Sequence, residues 1–117
     1  MTSQSRPSLS THVLDTERGE PAQGVPVTLS RRDGDELVVV FSQRTNEDGR
    51  IPDLAPQGVR PGTYQLAFDA AAYFRAQGYG EAFLSNVVIE FRIADTTRHY
   101  HIPLLLSRYS CASYRGS

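Results

Sequence analysis

Residues 25–41 read VPVTLSRRDGDELVVVF, and their pattern decides the fold. Val25, Val27 and Leu29 alternate with Pro26, Thr28 and Ser30, the period-two signature of a strand with one buried face. Arg31 to Asp35 carries Asp33-Gly34, a hairpin-turn signal, and Leu37 to Phe41 resumes as a β-branched, apolar run. Moving outward, Gln43 to Gly49 closes on a second turn signal, Asp48-Gly49. An irregular crossing with Pro52, Pro56, Gly58, Pro61 and Gly62 then leads to Thr63–Phe68, where Tyr64, Leu66 and Phe68 alternate again. Asp69 is placed to cap one short helix, Ala70 to Gln77, and Gly78 to end it. Val87 to Ile93, Tyr100 to Leu106 and Tyr109 to Tyr114 complete about seven or eight strands, which predicts an all-β antiparallel β-sandwich. Towards the N-terminus, Thr16 to Gly24 is punctuation, Leu9 to Leu14 the first structured segment, and residues 1–8 a polar, flexible leader.

The chain of 117 residues suits one domain, residues 9–117, closing one core. Its net charge of -1 provides no footprint for nucleic acid or an anionic membrane, and neither partner is expected. All twelve cations are Arg, an observation of little functional weight. Cys111 is the only cysteine, so an intrachain disulfide and a cysteine-based zinc site are excluded. The first ten residues carry no apolar core of a signal peptide, and a cytoplasmic protein is expected.

Chemistry must come from few residues. On a strand, His99 and His101 share a face, with Tyr100 opposite. That pair, with His12, has the donor types for a metal, but the strand closes on Leu104 to Leu106 without a carboxylate, so no metal is expected. Taken alone, Asn46-Glu47-Asp48-Gly49-Arg50 is a turn followed by a surface Arg, and Tyr114-Arg115-Gly116-Ser117 a solvated chain end. Cys111 reads as a buried, inert thiol.

Leu9-Ser10-Thr11-His12-Val13-Leu14-Asp15-Thr16, continuing through Gly19, Pro21 and Ala22, resembles the opening of the transthyretin-like family. Thr45 to Arg50 resembles its second motif, His99 to Ser107 its third, and Tyr114-Arg115-Gly116-Ser117 the tetrapeptide of its hydrolase branch. Near the end the chain departs from the family pattern: Arg108 stands where Pro is typical, and Cys111, Ala112 and Ser113 where Tyr, Ser and Thr are typical.

The resemblance implies two four-stranded sheets with one short helix, and hydrolysis of 5-hydroxyisourate to 2-oxo-4-hydroxy-4-carboxy-5-ureidoimidazoline in urate degradation. It assigns catalysis to His12, Arg50, His101 and Ser117, and substrate binding to His12, Arg50, Tyr114, Arg115 and Gly116. It further implies no cofactor, and a homotetramer, a dimer of dimers, with active sites where subunits meet. The alternative is a non-catalytic carrier of small ligands on the same fold, for which two histidines and the tetrapeptide would have no chemical use.

Overall fold

A computed structural model of the chain describes residues 8–116. The chain runs β1 (Leu9–Asp15), β2 (Glu20–Pro21), β3 (Pro26–Asp33), β4 (Glu36–Arg44), β5 (Arg50–Ile51), β6 (Gly62–Phe68), α1 (Ala70–Ala76), β7 (Val87–Ile93), β8 (Tyr100–Leu106) and β9 (Cys111–Ser113). These strands form two sheets, as the sequence predicts. One has the order β4-β3-β6-β7; the other runs β2-β1-β8-β9, with β5 also paired to β1. Two details differ from expectation. The two-residue strands β2 and β5 bring the second sheet to five strands, and β1 pairs with β8 in parallel, so this sheet is mixed rather than antiparallel. Parallel neighbours need a long crossover, here everything between β1 and β8.

The alternating residues of each strand fill the core. Leu9 and Val13 of β1, Val27 and Leu29 of β3, Tyr64, Leu66 and Phe68 of β6, and Ile102, Leu104 and Leu106 of β8 are buried. The helix begins where expected, with the Asp69 carboxylate accepting from Ala72 N, and it seals one end of the core with Tyr73 and Phe74. Asp15, fully buried at the end of β1, accepts from the Tyr73 hydroxyl at 2.8 Å and from Glu17 N and Arg18 N. These bonds satisfy a carboxylate that would otherwise be costly to bury.

The run at Leu37–Val39 belongs to an edge strand and is exposed, 63% for Val39. Cys111 is exposed, against expectation, because β9 is a three-residue edge strand rather than the longer one read over Tyr109 to Tyr114. Arg108, in the loop before β9, forms a two-pronged ion pair with Glu17 and lies 4.8 Å from the Tyr79 ring centroid, tying that loop to the turn after β1. Ser8, at the end of the expected leader, accepts from Tyr100 N. Residues 1–7 of that leader, and Ser117, lie outside the described residues.

Candidate active site

The site grows from β1. Its inward residues Leu9, Thr11, Val13 and Asp15 are almost wholly buried, and the pleat therefore turns Ser10, His12 and Leu14 to the outer face of the sheet. On one flank, β5 places Arg50 directly opposite His12. On the other, β8 pairs Ser10 with His101 and His12 with Pro103. Three segments far apart in sequence thus deliver His12, Arg50 and His101 to one face. A cleft of about 280 Å³ opens there, lined by Ser10, Thr11, Arg50, Pro52, His99 and His101.

The turn that presents Arg50 is held from both ends. Thr45, buried, donates from its hydroxyl to the Ala22 carbonyl at 2.6 Å and accepts from Val25 N. The Asn46 side chain accepts from Asp48 N and Arg50 N, at 2.9 and 3.0 Å. Gly49 sits at φ 74°, and a Cβ there would collide with the Val13 carbonyl and approach Ala22 N to 3.0 Å. Only glycine allows this turn to lie against β1, where the Gly49 carbonyl accepts from Val13 N at 2.7 Å. The pentapeptide is indeed a turn followed by an exposed arginine, and the register of β5 on β1 sets that arginine beside a histidine.

Electrostatics favour neutral histidines. Partial burial, then the Arg50 guanidinium, hold His12 below its ordinary value, with a hydrogen bond to the Asp48 backbone opposing. Burial lowers His101 as well, reinforced by Arg50, His99 and His12. An imidazole whose cation is disfavoured by its neighbours keeps its lone pair near neutral pH, the state a general base needs.

The chain end divides. Gly116 N donates to the His101 carbonyl at 2.7 Å, and Gly116 packs so closely on the imidazole that a Cβ would lie 2.6 Å from His101 Cδ2. Arg115 stacks over the Tyr100 ring at 4.4 Å. Tyr114 is 60% exposed and, with Arg115, lines a separate, mostly apolar cavity of about 470 Å³ with Ile89, Phe91, Ile102 and Cys111. Within one chain, therefore, Gly116 abuts a histidine of the cleft, while Tyr114 and Arg115 line the other cavity. The sequence alone assigns no role in the cleft to Ser10, Pro52 or His99; the i, i+2 spacing of Ser10 and His12 is the signal that points to the serine.

The model of the HIUase/Transthyretin family matches residues 9–116. A 5-hydroxyisourate hydrolase of Pseudomonas aeruginosa is 46% identical over 114 residues, covering 93% of this chain and 90% of that protein. The solved 5-hydroxyisourate hydrolase of Klebsiella pneumoniae superposes with a TM-score of 0.82 at 37% identity, covering 93% of this chain and 98% of that one. Sea bream transthyretin in complex with thyroxine superposes at 0.86 with 28% identity, covering 93% and 94%.

Proposed function

From the premise that this chain belongs to the HIUase/Transthyretin family, we propose that it hydrolyses 5-hydroxyisourate, a step of urate degradation, at the cleft lined by Arg50 and His101, with His12 paired beside Arg50 at its flank. The observation that carries the reading is the convergence of two neutral-leaning imidazoles and a guanidinium on one outer face. The similarity to hydrolases over nearly the whole chain supports the choice of substrate.

The chemistry follows from the groups. The substrate is a flat, carbonyl-rich bicycle, and cleaving its cyclic amide requires an activated water and donors for the oxygen that gains charge. His101 or His12 takes the proton from water. Arg50, with several N–H donors in one plane, clamps the substrate carbonyls and stabilises the oxyanion. Gly116 backs the His101 ring, and Ser117 is assigned to orient a histidine or the water; Tyr114 and Arg115 are assigned to substrate contacts completed by subunit assembly.

Assembly is part of the reading. At about 280 Å³ the cleft falls just below the usual range for small-ligand pockets, roughly 300–1,000 Å³, and it is open on the outer face of a sheet. A homotetramer, a dimer of dimers with sites between subunits, would close it over a planar substrate. The mechanism uses organic bases, and among the described residues no three His, Cys, Asp or Glu are grouped to hold a metal ion. Metal independence is part of the proposed reading, because the mechanism asks only for organic bases and a guanidinium. An exposed free thiol at Cys111 suits a reducing, cytoplasmic setting.

The carrier reading rests on the likeness to transthyretin. It leaves the depressed histidines and their arginine without a use. To decide, 5-hydroxyisourate is generated with urate oxidase and its ultraviolet decay followed with and without the protein; decay no faster than the spontaneous rate rejects the hydrolase reading. Sedimentation at assay concentration tests assembly, and a fully active monomer contradicts the intersubunit site.

A further inference from the structure

Ser10 has no assigned role, yet it is 92% buried by exposure of 8% and its hydroxyl touches two histidines at once. Ser10 Oγ lies 2.8 Å from His101 Nδ1 and 3.0 Å from His99 Nε2, and the two rings are stacked with centroids 6.3 Å apart. A serine hydroxyl has one proton to give. It can donate to one of these nitrogens only, so at least one ring must donate to Oγ. The tautomers of His99 and His101 are consequently not independent.

The role of His101 chooses between the arrangements. Only a proton on Nδ1, the ring nitrogen that faces Ser10 Oγ, leaves Nε2 with the lone pair that a general base needs. With that proton on Nδ1, the Ser10 hydroxyl is left to donate to His99 Nε2.

We propose that Ser10 is a positioning residue for the reaction: its Oγ accepts from His101 Nδ1–H and donates to His99 Nε2, fixing His101 as the tautomer whose Nε2 carries the lone pair. The inference rests on the reading of His101 as a base and adds to it the group that makes the lone pair available. When Nε2 takes a proton from water, His101 becomes an imidazolium whose Nδ1–H bond to Oγ is charge-assisted and stronger. Ser10 keeps its own proton throughout, so no proton is passed along the triad and the charge stays on His101. His99 acts as the acceptor that keeps the hydroxyl proton away from His101.

The test reads tautomers directly. Nitrogen-15 NMR of histidine-labelled full chain, correlating ring carbons with both nitrogens at a pH where the histidines are neutral, distinguishes protonated from lone-pair nitrogens. The wild-type protein is expected to show His101 with a protonated Nδ1 and His99 with a lone-pair Nε2. Ser10→Ala should mix the His101 tautomers and lower kcat about tenfold or more with little change in KM, as expected when a base is left in the wrong form. Ser10→Thr, which keeps the hydroxyl, should restore both. His101 found as the Nε2–H tautomer in the wild type, or unchanged in Ser10→Ala, overturns the proposal. Should Ser10→Ala fail to fold, the wild-type and Ser10→Thr spectra still decide it. The spectra do not depend on turnover: an inactive protein with the expected tautomers would sink the hydrolase reading and leave the Ser10 bridge standing, and an active one with the opposite tautomers would do the reverse.

Discussion

Gly116→Ala should disable the site without unfolding the protein. A Cβ at residue 116 would stand 2.6 Å from His101 Cδ2, 3.2 Å from Cγ and 3.4 Å from Cβ of the same side chain. Carbon atoms pack at about 3.5 Å or more, so the imidazole or the chain end must give way by roughly 0.9 Å. The contact is with the body of the ring rather than a flexible tip, and the Gly116 N–H bond to the His101 carbonyl holds the two backbones together. The ring is therefore the part expected to move. A misplacement of about 1 Å costs on the order of 10²-fold in rate, or about 2.7 kcal/mol of transition-state stabilisation. Gly116 is not in the left-handed region, so alanine introduces no backbone strain there, and the thermal midpoint should hardly change. The assay is ultraviolet decay of 5-hydroxyisourate, with thermal melting by circular dichroism as the control. A Gly116→Ala protein with wild-type kcat/KM would refute the argument and show that the chain end does not press on His101 in the working protein.

The other expectations are briefer. His12→Asn, His101→Asn and Arg50→Gln should each lower kcat/KM by on the order of 10²-fold or more with the fold intact, and near wild-type turnover in any of them returns that residue to a structural role. Because the neutral imidazoles are the active forms and both are held below the ordinary histidine value of about 6.5, kcat/KM should stay level down to that pH and fall only on further acidification. Residual activity of Arg50→Gln should fall off at a higher pH than in the wild type, since a cation that lowers both histidines is gone; an unmoved profile contradicts this assignment. Deleting residues 114–117 removes the Gly116 bond to His101 and should abolish turnover while leaving circular dichroism unchanged; equal activity would make the tail dispensable. Exhaustive chelation should leave activity intact, whereas stoichiometric zinc lost together with activity would point to a metallohydrolase.

Local pattern made most elements legible. β7 and β8 run over the residues expected, because both are rich in β-branched and large apolar residues, and the helix ends one residue short of the reading because Gln77 serves as its cap. Pairing was less accessible. Nothing in Leu9–Asp15 or Tyr100–Leu106 records that these strands lie side by side in parallel, since their hydrogen bonds reach across the whole chain. The same gap hid part of the site. Arg50 looks like a surface charge until β5 is set against β1, and Ser10 looks like an ordinary strand residue until β8 brings two imidazoles to its hydroxyl. Cys111 departs from expectation for a related reason: free cysteine is among the most buried residue types, but β9 is at a sheet edge.

The parallel pairing of β1 with β8 also governs when the site can exist. Ser10 and His101 are separated by 91 positions, and bringing such distant points together costs about 4 kcal/mol of chain entropy before any contact rewards it. On a ribosome, β1 emerges first and waits with its inner edge unpaired until β8 follows, by which time the sheet of β3, β4, β6 and β7 can already have closed. Activity is therefore a late event in the life of each molecule: the histidines meet only after nearly all of the chain has been made, and a product that stops short of β8 has neither a complete sheet nor a base opposite Ser10.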